Sequence, residues 1–258
     1  MTIKFLPGTL FSVGLVMMIT GCHNKKTQQL SATEMLHNNQ DKLTQVIIYD
    51  VFTPPVASRL YVYASLAAYE AIRFNREGYP SLTDRLKGFD PMPQPAKEMT
   101  YSFPLASSEA FFNVVRNVKV FSVDSLTRYE QSVYKNFRNT LNLATYKRSM
   151  DFGDSVAAAI LRRAYMDGYV QSRGKEKYLG SNEAGKWRPT PPDYLDGVEW
   201  CWNTMKPMIM DSAAQFKPSP PPVFSLDTGS VYYKGLMNVY RINKNLDNEQ
   251  KDIARYWD

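Results

Sequence analysis

The sequence predicts an all-α fold: a multi-helix bundle with an irregular wrap rich in proline and aromatic residues, forming an incomplete domain. Three observations lead there. Apolar residues recur at helical spacing through residues 31–75, 105–173 and 229–258. Glycine is scarce at 13 residues while aromatics reach 13%, with 17 tyrosines, a balance that favours long packed helices over a turn-rich sandwich. Proline and glycine gather instead in two connecting stretches, 76–102 and 174–228.

The first helix is expected to open at a capping box, Ser31 with Glu34, in which each side chain takes a free backbone N–H of the first turn. Leu36, Leu43, Ile47 and Val51 then share one face up to Phe52. Thr53, Pro54 and Pro55 end that helix and start the next, because proline suits a first turn. In the second helix Ala57, Leu60, Ala64, Ala67, Ala68, Ala71 and Ile72 would let a neighbour approach closely. After the irregular 76–102 segment, a third helix is expected from Leu105 to about Phe121. A fourth, capped by Asp124 or Ser125, runs through Asn142 with Leu126, Tyr129, Val133, Phe137 and Leu141 on one side. A fifth runs from about Thr145 to Arg173, carrying Phe152, Val156, Ala159, Ile160 and Ala164. Short connections imply antiparallel packing of these three.

Trp187, Tyr194, Trp200 and Trp202 sit among the prolines of 174–228, which predicts an ordered wrap over the helices with a stiff extended strut at Pro218–Pro222. Two last helices are expected at 229–243 and 248–258, the second capped by Asp247 with Gln250. Tyr256, Trp257 and Asp258 close the sequence without a glycine. The expectation is a chain that stops inside a helix; the alternative is a terminus that happens to be aromatic.

The leader has its own physics. Lys4 supplies a cation, and Phe11 to Ile19 is an apolar core too short for a membrane span of about 20 residues. Ile19, Thr20 and Gly21 then precede Cys22, which resembles the lipobox of bacterial lipoproteins. Residues 1–21 are therefore expected to be an export signal and Cys22 the lipidated first residue of the mature chain. Residues 22–30, polar almost throughout, form a tether, and 31–258 form the helical domain. A multiply acylated cysteine anchors firmly. The expected partner is thus the membrane, and the expected location is the cell envelope, at an outer membrane facing the periplasm. With Cys22 lipidated only Cys201 remains, which excludes an internal disulfide and reads as a buried thiol between Trp200 and Trp202. The net charge of +6 comes from 31 basic and 25 acidic residues scattered along the chain, so no nucleic-acid partner is expected.

Several stretches together resemble lipoproteins related to vanadium-dependent haloperoxidases, in the superfamily of type 2 phosphatidic acid phosphatases. These are Asp50–Arg59, Tyr61–Ala71, Trp187–Asp196 with the following Lys206–Met208, Phe216–Ser225 and Ile253–Asp258. The resemblance covers most of residues 40–258 and implies an all-helical fold, of which only the non-catalytic front half is present. In the complete fold it implies vanadate or phosphate held by Lys, Arg, Ser and backbone donors, with one His attacking or coordinating and a second acting as acid or base. The signatures are Lys, six residues, Arg-Pro; Pro-Ser-Gly-His; and Ser-Arg, five residues, His. The only Arg-Pro is Arg188–Pro189, with Ser181 where Lys is required, and the only histidines are His23 and His37. His23 lies beside the anchor, and His37 reads as a surface residue of the first helix. No catalytic, cofactor-binding or metal-ligating residue is therefore assigned in this chain.

Other chemistry is weak. Asp193, Asp196 and Glu199 read first as a helix cap with neighbours, and second as a paired-carboxylate or cation site. Asp50, Arg59 and Glu70 would pair across the Pro-Pro corner. No phosphate loop, zinc spacing or hydrolase elbow occurs. The expected role is a scaffold for a catalytic bundle, inactive alone as phosphatase or peroxidase, with a separate catalytic half or a homo-oligomer as further partner. The competing expectation is a binding lipoprotein whose Trp and Tyr residues stack on glycans.

Overall fold

The computed structural model describes residues 31–118 and 122–257. The expected leader, Cys22, the tether and the end of the third helix at Phe121 lie outside those residues. Among the described residues the chain is all α, with eight α-helices and no strand. No described helix is long and apolar enough to cross a membrane.

Helix α1 spans Ala32–Tyr49, and its capping box is complete: Glu34 N–H donates to Ser31 Oγ at 3.2 Å and Ser31 N–H to Glu34 Oε2 at 2.9 Å. The buried face is Met35, Asn39, Leu43, Val46 and Ile47. Val51, expected on it, lies past the helix end at φ 52° and faces solvent, because the chain must turn there before Pro54. Helix α2, Pro54–Ile72, begins on the Pro-Pro step as expected. Tyr61 OH donates to Thr44 Oγ1 at 2.9 Å, and Ser65 Oγ reaches Gln40, so α1 and α2 form an antiparallel pair.

Helix α3, Phe103–Asn117, buries nearly its whole circumference from Leu105 to Val115, which makes it the central element. Ser107 Oγ donates to the Ala68 carbonyl at 2.8 Å, a close approach that the alanines of α2 permit. Helix α4 spans Val123–Thr140; its N-cap is Ser122, not Asp124 or Ser125. Asp50 accepts from both the N–H and the Oγ of Ser122, which ties the end of α1 to the start of α4. Helix α5 spans Leu143–Tyr165 and is capped by Asn142, whose Oδ1 accepts from Thr145 N–H at 2.8 Å. Contacts between α3 and α5 advance together (Ser102 with Ser149, Ala106 with Gly153, Asn113 with Asp154), so these two helices run in the same direction. Helix α4 runs antiparallel to α3, as expected, whereas α3 and α5 pack on each other in parallel, because α4 carries the chain back before α5 begins.

The long fifth helix is in fact two. Gly168, at φ 98°, breaks it after Met166, and a short helix α6, Tyr169–Arg173, follows. Only glycine adopts that conformation freely, so a backbone turn overrides a continuous helical pattern. One aromatic cluster (Phe74, Tyr101, Phe103, Phe152) fills one end of the bundle, with ring centroids 5.6–6.2 Å apart. Phe111, Phe112, Tyr129 and Tyr134 fill the region between α3 and α4.

The expected wrap docks over a narrower span than its sequence implies. Between 199 and 211, Cys201 is buried, Met208 packs on the core, and Lys206 N–H donates to the Asp167 carbonyl at 2.8 Å. Trp202 meets Tyr169 edge-on at 6.3 Å. Trp187, Tyr194 and Trp200 remain exposed, as do Pro218–Pro222. Helices α7, Val231–Lys244, and α8, Asn248–Trp257, follow as expected, with Asp247 and Gln250 capping α8 reciprocally.

Candidate functional site

The residues that sequence reasoning set beside the Pro-Pro corner do not pair with one another. Arg59 reaches across to the break after α5, where its Nε donates to Asp167 Oδ2 at 2.7 Å and its Nη2 to the Ala164 carbonyl at 2.7 Å. Tyr63 OH donates to the same carboxylate oxygen at 3.0 Å, and Tyr169 N–H donates to Asp167 Oδ1 at 2.8 Å. The guanidinium also lies over the Tyr169 ring, 4.4 Å from its centroid. Glu70 instead meets Arg73 and accepts from Ser81 Oγ, Leu82 N–H and Thr83 N–H, holding the loop after α2. The pairing was unreadable in sequence because Arg59 and Asp167 are 108 positions apart.

Arg163 completes this junction. It is buried, pairs with no acid among the described residues, and donates to the carbonyls of Lys87, at 3.0 Å, and Lys206, at 2.9 Å. Tyr63 is pushed well above the usual phenol range, mainly by burial and then by the Asp167 charge, so it stays a donor. A groove of about 470 Å³ lies over the junction, lined by Arg59, Tyr63, Asp167, Trp202, Lys206 and Met208.

A second buried network joins α3, α4 and α5. Arg116 meets both Glu109 and Glu130, and Tyr134 OH donates to both carboxylates. Asp154, which accepts from Asn113, is the third acid there. Glu109 is raised above its ordinary value of 4.5, first by burial, with Asp154 raising it further and Tyr134 and Arg116 opposing. The folded chain therefore binds this proton more tightly than the unfolded chain does. The stabilisation is complete below pH 4.5 and is lost as pH rises through the higher folded value. Replacing Glu109 with Gln is expected to flatten that part of the profile. Urea midpoints measured between pH 4 and 8 check this, and a parallel profile for both proteins contradicts it.

Neither network suits a tetrahedral oxyanion. Among the described residues, Arg59, Arg73, Arg116 and Arg163 are each engaged by carboxylates or carbonyls, and the one histidine, His37, is exposed. The groups at hand thus do not fit vanadate or phosphate. The acids of the wrap likewise disperse. Glu199 pairs with Arg173 and accepts from Thr53 Oγ1, while Asp196 pairs with Lys177 at 3.0 Å. Asp193 caps no helix, because residues 191–193 form a turn instead. No group of three His, Cys, Asp or Glu among the described residues is placed to hold a metal. The thiol of Cys201 is buried, as expected, and points to the Ser172 carbonyl at 3.7 Å.

The remaining candidate is a surface. Helices α7 and α8 bury no residue, although both are amphipathic. Leu236, Val239, Tyr240 and Ile242 of α7 are exposed, as are Ile253, Tyr256 and Trp257 of α8. Covering such side chains is worth roughly 1.5–3 kcal/mol each.

No protein-family model matches the chain, and no curated protein matches it. Among solved structures it is similar to one described as the first bacterial vanadium-dependent iodoperoxidase, with 36% identity and a TM-score of 0.81 over 87% of this chain. The chain spans 55% of that protein.

Proposed function

We propose, from a helical fold related to that of vanadium-dependent haloperoxidases, that residues 31–257 are the amino-terminal scaffold of a haloperoxidase- or phosphatase-like lipoprotein. In this reading the oxyanion-binding cations and histidines belong to the part of the fold that the chain does not span, and the chain alone turns over neither halide nor phosphate ester. Vanadate or phosphate is a ligand of the completed fold only. A lipid on Cys22 holds the scaffold at the outer membrane, on its periplasmic side.

The observation that carries the proposal is the exposed apolar face of α7 and α8, at the end of a helical unit that spans little more than half of its structural neighbour. A bundle docking there would bury Leu236, Val239, Ile253, Tyr256 and Trp257, as a core does when cut in two. A second copy of this chain is the other candidate partner.

The test uses the full chain in detergent, assayed for vanadate-dependent iodide oxidation and for phosphate-ester hydrolysis. It is then mixed with the part of the solved iodoperoxidase that this chain does not cover. The expected outcome is no turnover alone, association on mixing, and loss of association when Leu236 and Val239 are both replaced by Ser. Turnover by the chain alone, or a double variant that associates unchanged, overturns the proposal.

A further inference from the structure

The exposed half of the wrap carries an ordered aromatic surface that the scaffold role does not use. Trp187 stacks on Tyr178, with ring centroids 5.5 Å apart and planes 25° apart, and Tyr178 leans on Trp200 at 6.1 Å. The backbone and the indole N–H hold this stack in place. Trp200 Nε1 donates to the Glu176 carbonyl at 3.0 Å, Gly197 N–H to the Tyr178 carbonyl at 2.8 Å, and Ser181 N–H to the Trp187 carbonyl at 3.0 Å. Gly197 is needed there, since a Cβ on it would lie 2.9 Å from Tyr178 Cδ1. Trp187 is nevertheless 47% exposed. It forms one wall of an open groove of about 560 Å³, with Pro191, Pro192, Asp193, Tyr194 and Asp196. Tyr194 is 62% exposed and sits at φ 50°, a region an L-residue occupies only against a steric penalty. Core packing explains neither the exposure of these two rings nor that backbone.

We propose that this groove is a subsite for a neutral pyranose of an oligosaccharide chain, with the sugar's apolar face on Trp187 and its hydroxyls on the carboxylates of Asp193 and Asp196. A rigid, exposed indole binds such a face at little entropic cost. Charge selects the ligand. Lys177 neutralises Asp196 at 3.0 Å, Lys175 lies 5.9 Å from the Trp200 ring centre, and Lys186 and Arg188 flank Trp187 in sequence. With Asp196 neutralised by Lys177 and Asp193 exposed in a lining that holds no Lys or Arg, the groove offers an anionic ligand no cation and a hydroxyl donor two acceptors. A neutral ring with many hydroxyls satisfies both conditions. The subsite stands independently of the scaffold proposal, because its residues lie on 178–200 and not on the α7–α8 face.

The test titrates the full chain in detergent with cellohexaose, laminarihexaose, mannohexaose and xylohexaose, following tryptophan fluorescence and saturation-transfer NMR. Binding of at least one near about 1 mM is expected, with a loss of about tenfold or more in Trp187→Ala. Asp193→Asn, which leaves the aromatic stack intact, is expected to weaken binding about threefold or more. Tyr165→Ala, at an exposed position outside the groove, is expected to bind as the parent does. Far-UV circular dichroism and urea unfolding confirm that each variant is folded. No binding by any of the four sugars overturns the proposal, and so does binding that survives both groove substitutions or that is reproduced only by charged oligosaccharides.

Discussion

Replacing Asp167 with Ala lowers the stability of the helical unit by about 3–5 kcal/mol, the range for removing one partner of a buried ion pair. The variant strands the guanidinium of Arg59, which is 8% exposed, and removes the acceptor used by Tyr63 OH and Tyr169 N–H. The Asp167 carbonyl, which accepts from Lys206 N–H, is retained in the variant, so the loss is confined to the side-chain contacts. Urea unfolding followed by circular dichroism checks the magnitude. The double variant Arg59→Met, Asp167→Leu is expected to recover only part of the loss, because it avoids the desolvation of two ions but leaves Tyr63 OH and Tyr169 N–H without their acceptor. An Asp252→Ala control, which breaks the exposed pair with Arg255, is expected to shift stability by less than about 1 kcal/mol. Equal effects at both sites would contradict the assignment of Asp167 as the junction that holds α2, α5 and the wrap together.

Gly153 marks the second large effect. A Cβ at this position would lie 2.5 Å from the Ala106 carbonyl oxygen and 2.7 Å from Glu109 Cβ, so α3 and α5 touch there through backbone. Helix propensity alone argues for a gain of about 1 kcal/mol on replacing a helical glycine with alanine. The contact argues the other way, since the facing atom is main chain and cannot turn aside. Gly153→Ala is therefore expected to destabilise despite the better propensity. Gly153→Val is expected to cost about 3 kcal/mol, at the upper end for overpacking. A displaced α3 would also disturb Glu109, and with it the pH dependence that the Glu109–Arg116–Glu130 network confers. A stabilised Gly153→Ala variant would mean that the two helices separate at little cost.

Much of the architecture was legible because its causes are local. The capping box at Ser31 and Glu34, the Pro54–Pro55 start of α2 and the reciprocal cap of α8 each depend on residues three or fewer apart. The apolar faces of α4 and α5 follow from helical periodicity, and Leu126, Val133, Phe137, Val156 and Ile160 are buried where that pattern places them. The break at Gly168 escaped because a single glycine inside a periodic stretch is compatible with a continuous helix; only its positive φ distinguishes the two. The wrap was overestimated because aromatic residues suit a core and an exposed platform equally well in composition.

The sequence by itself determined the all-α class, the order of the helices, the irregular proline-rich segments and the resemblance to a haloperoxidase-related fold, since these rest on periodicity, capping and short motifs. Only the tertiary structure decided which charges meet. Arg59 turned from the nearby Asp50 and Glu70 to a carboxylate more than a hundred residues away, and Glu109 came to share Arg116 and Tyr134 with Glu130. It likewise separated the buried Cys201 from the exposed Trp187 and Trp200, and left the apolar faces of α7 and α8 uncovered. The physical reason is that a side chain's partner is set by which helices pack together, and packing sums many weak contacts over the whole bundle that no local stretch of sequence contains.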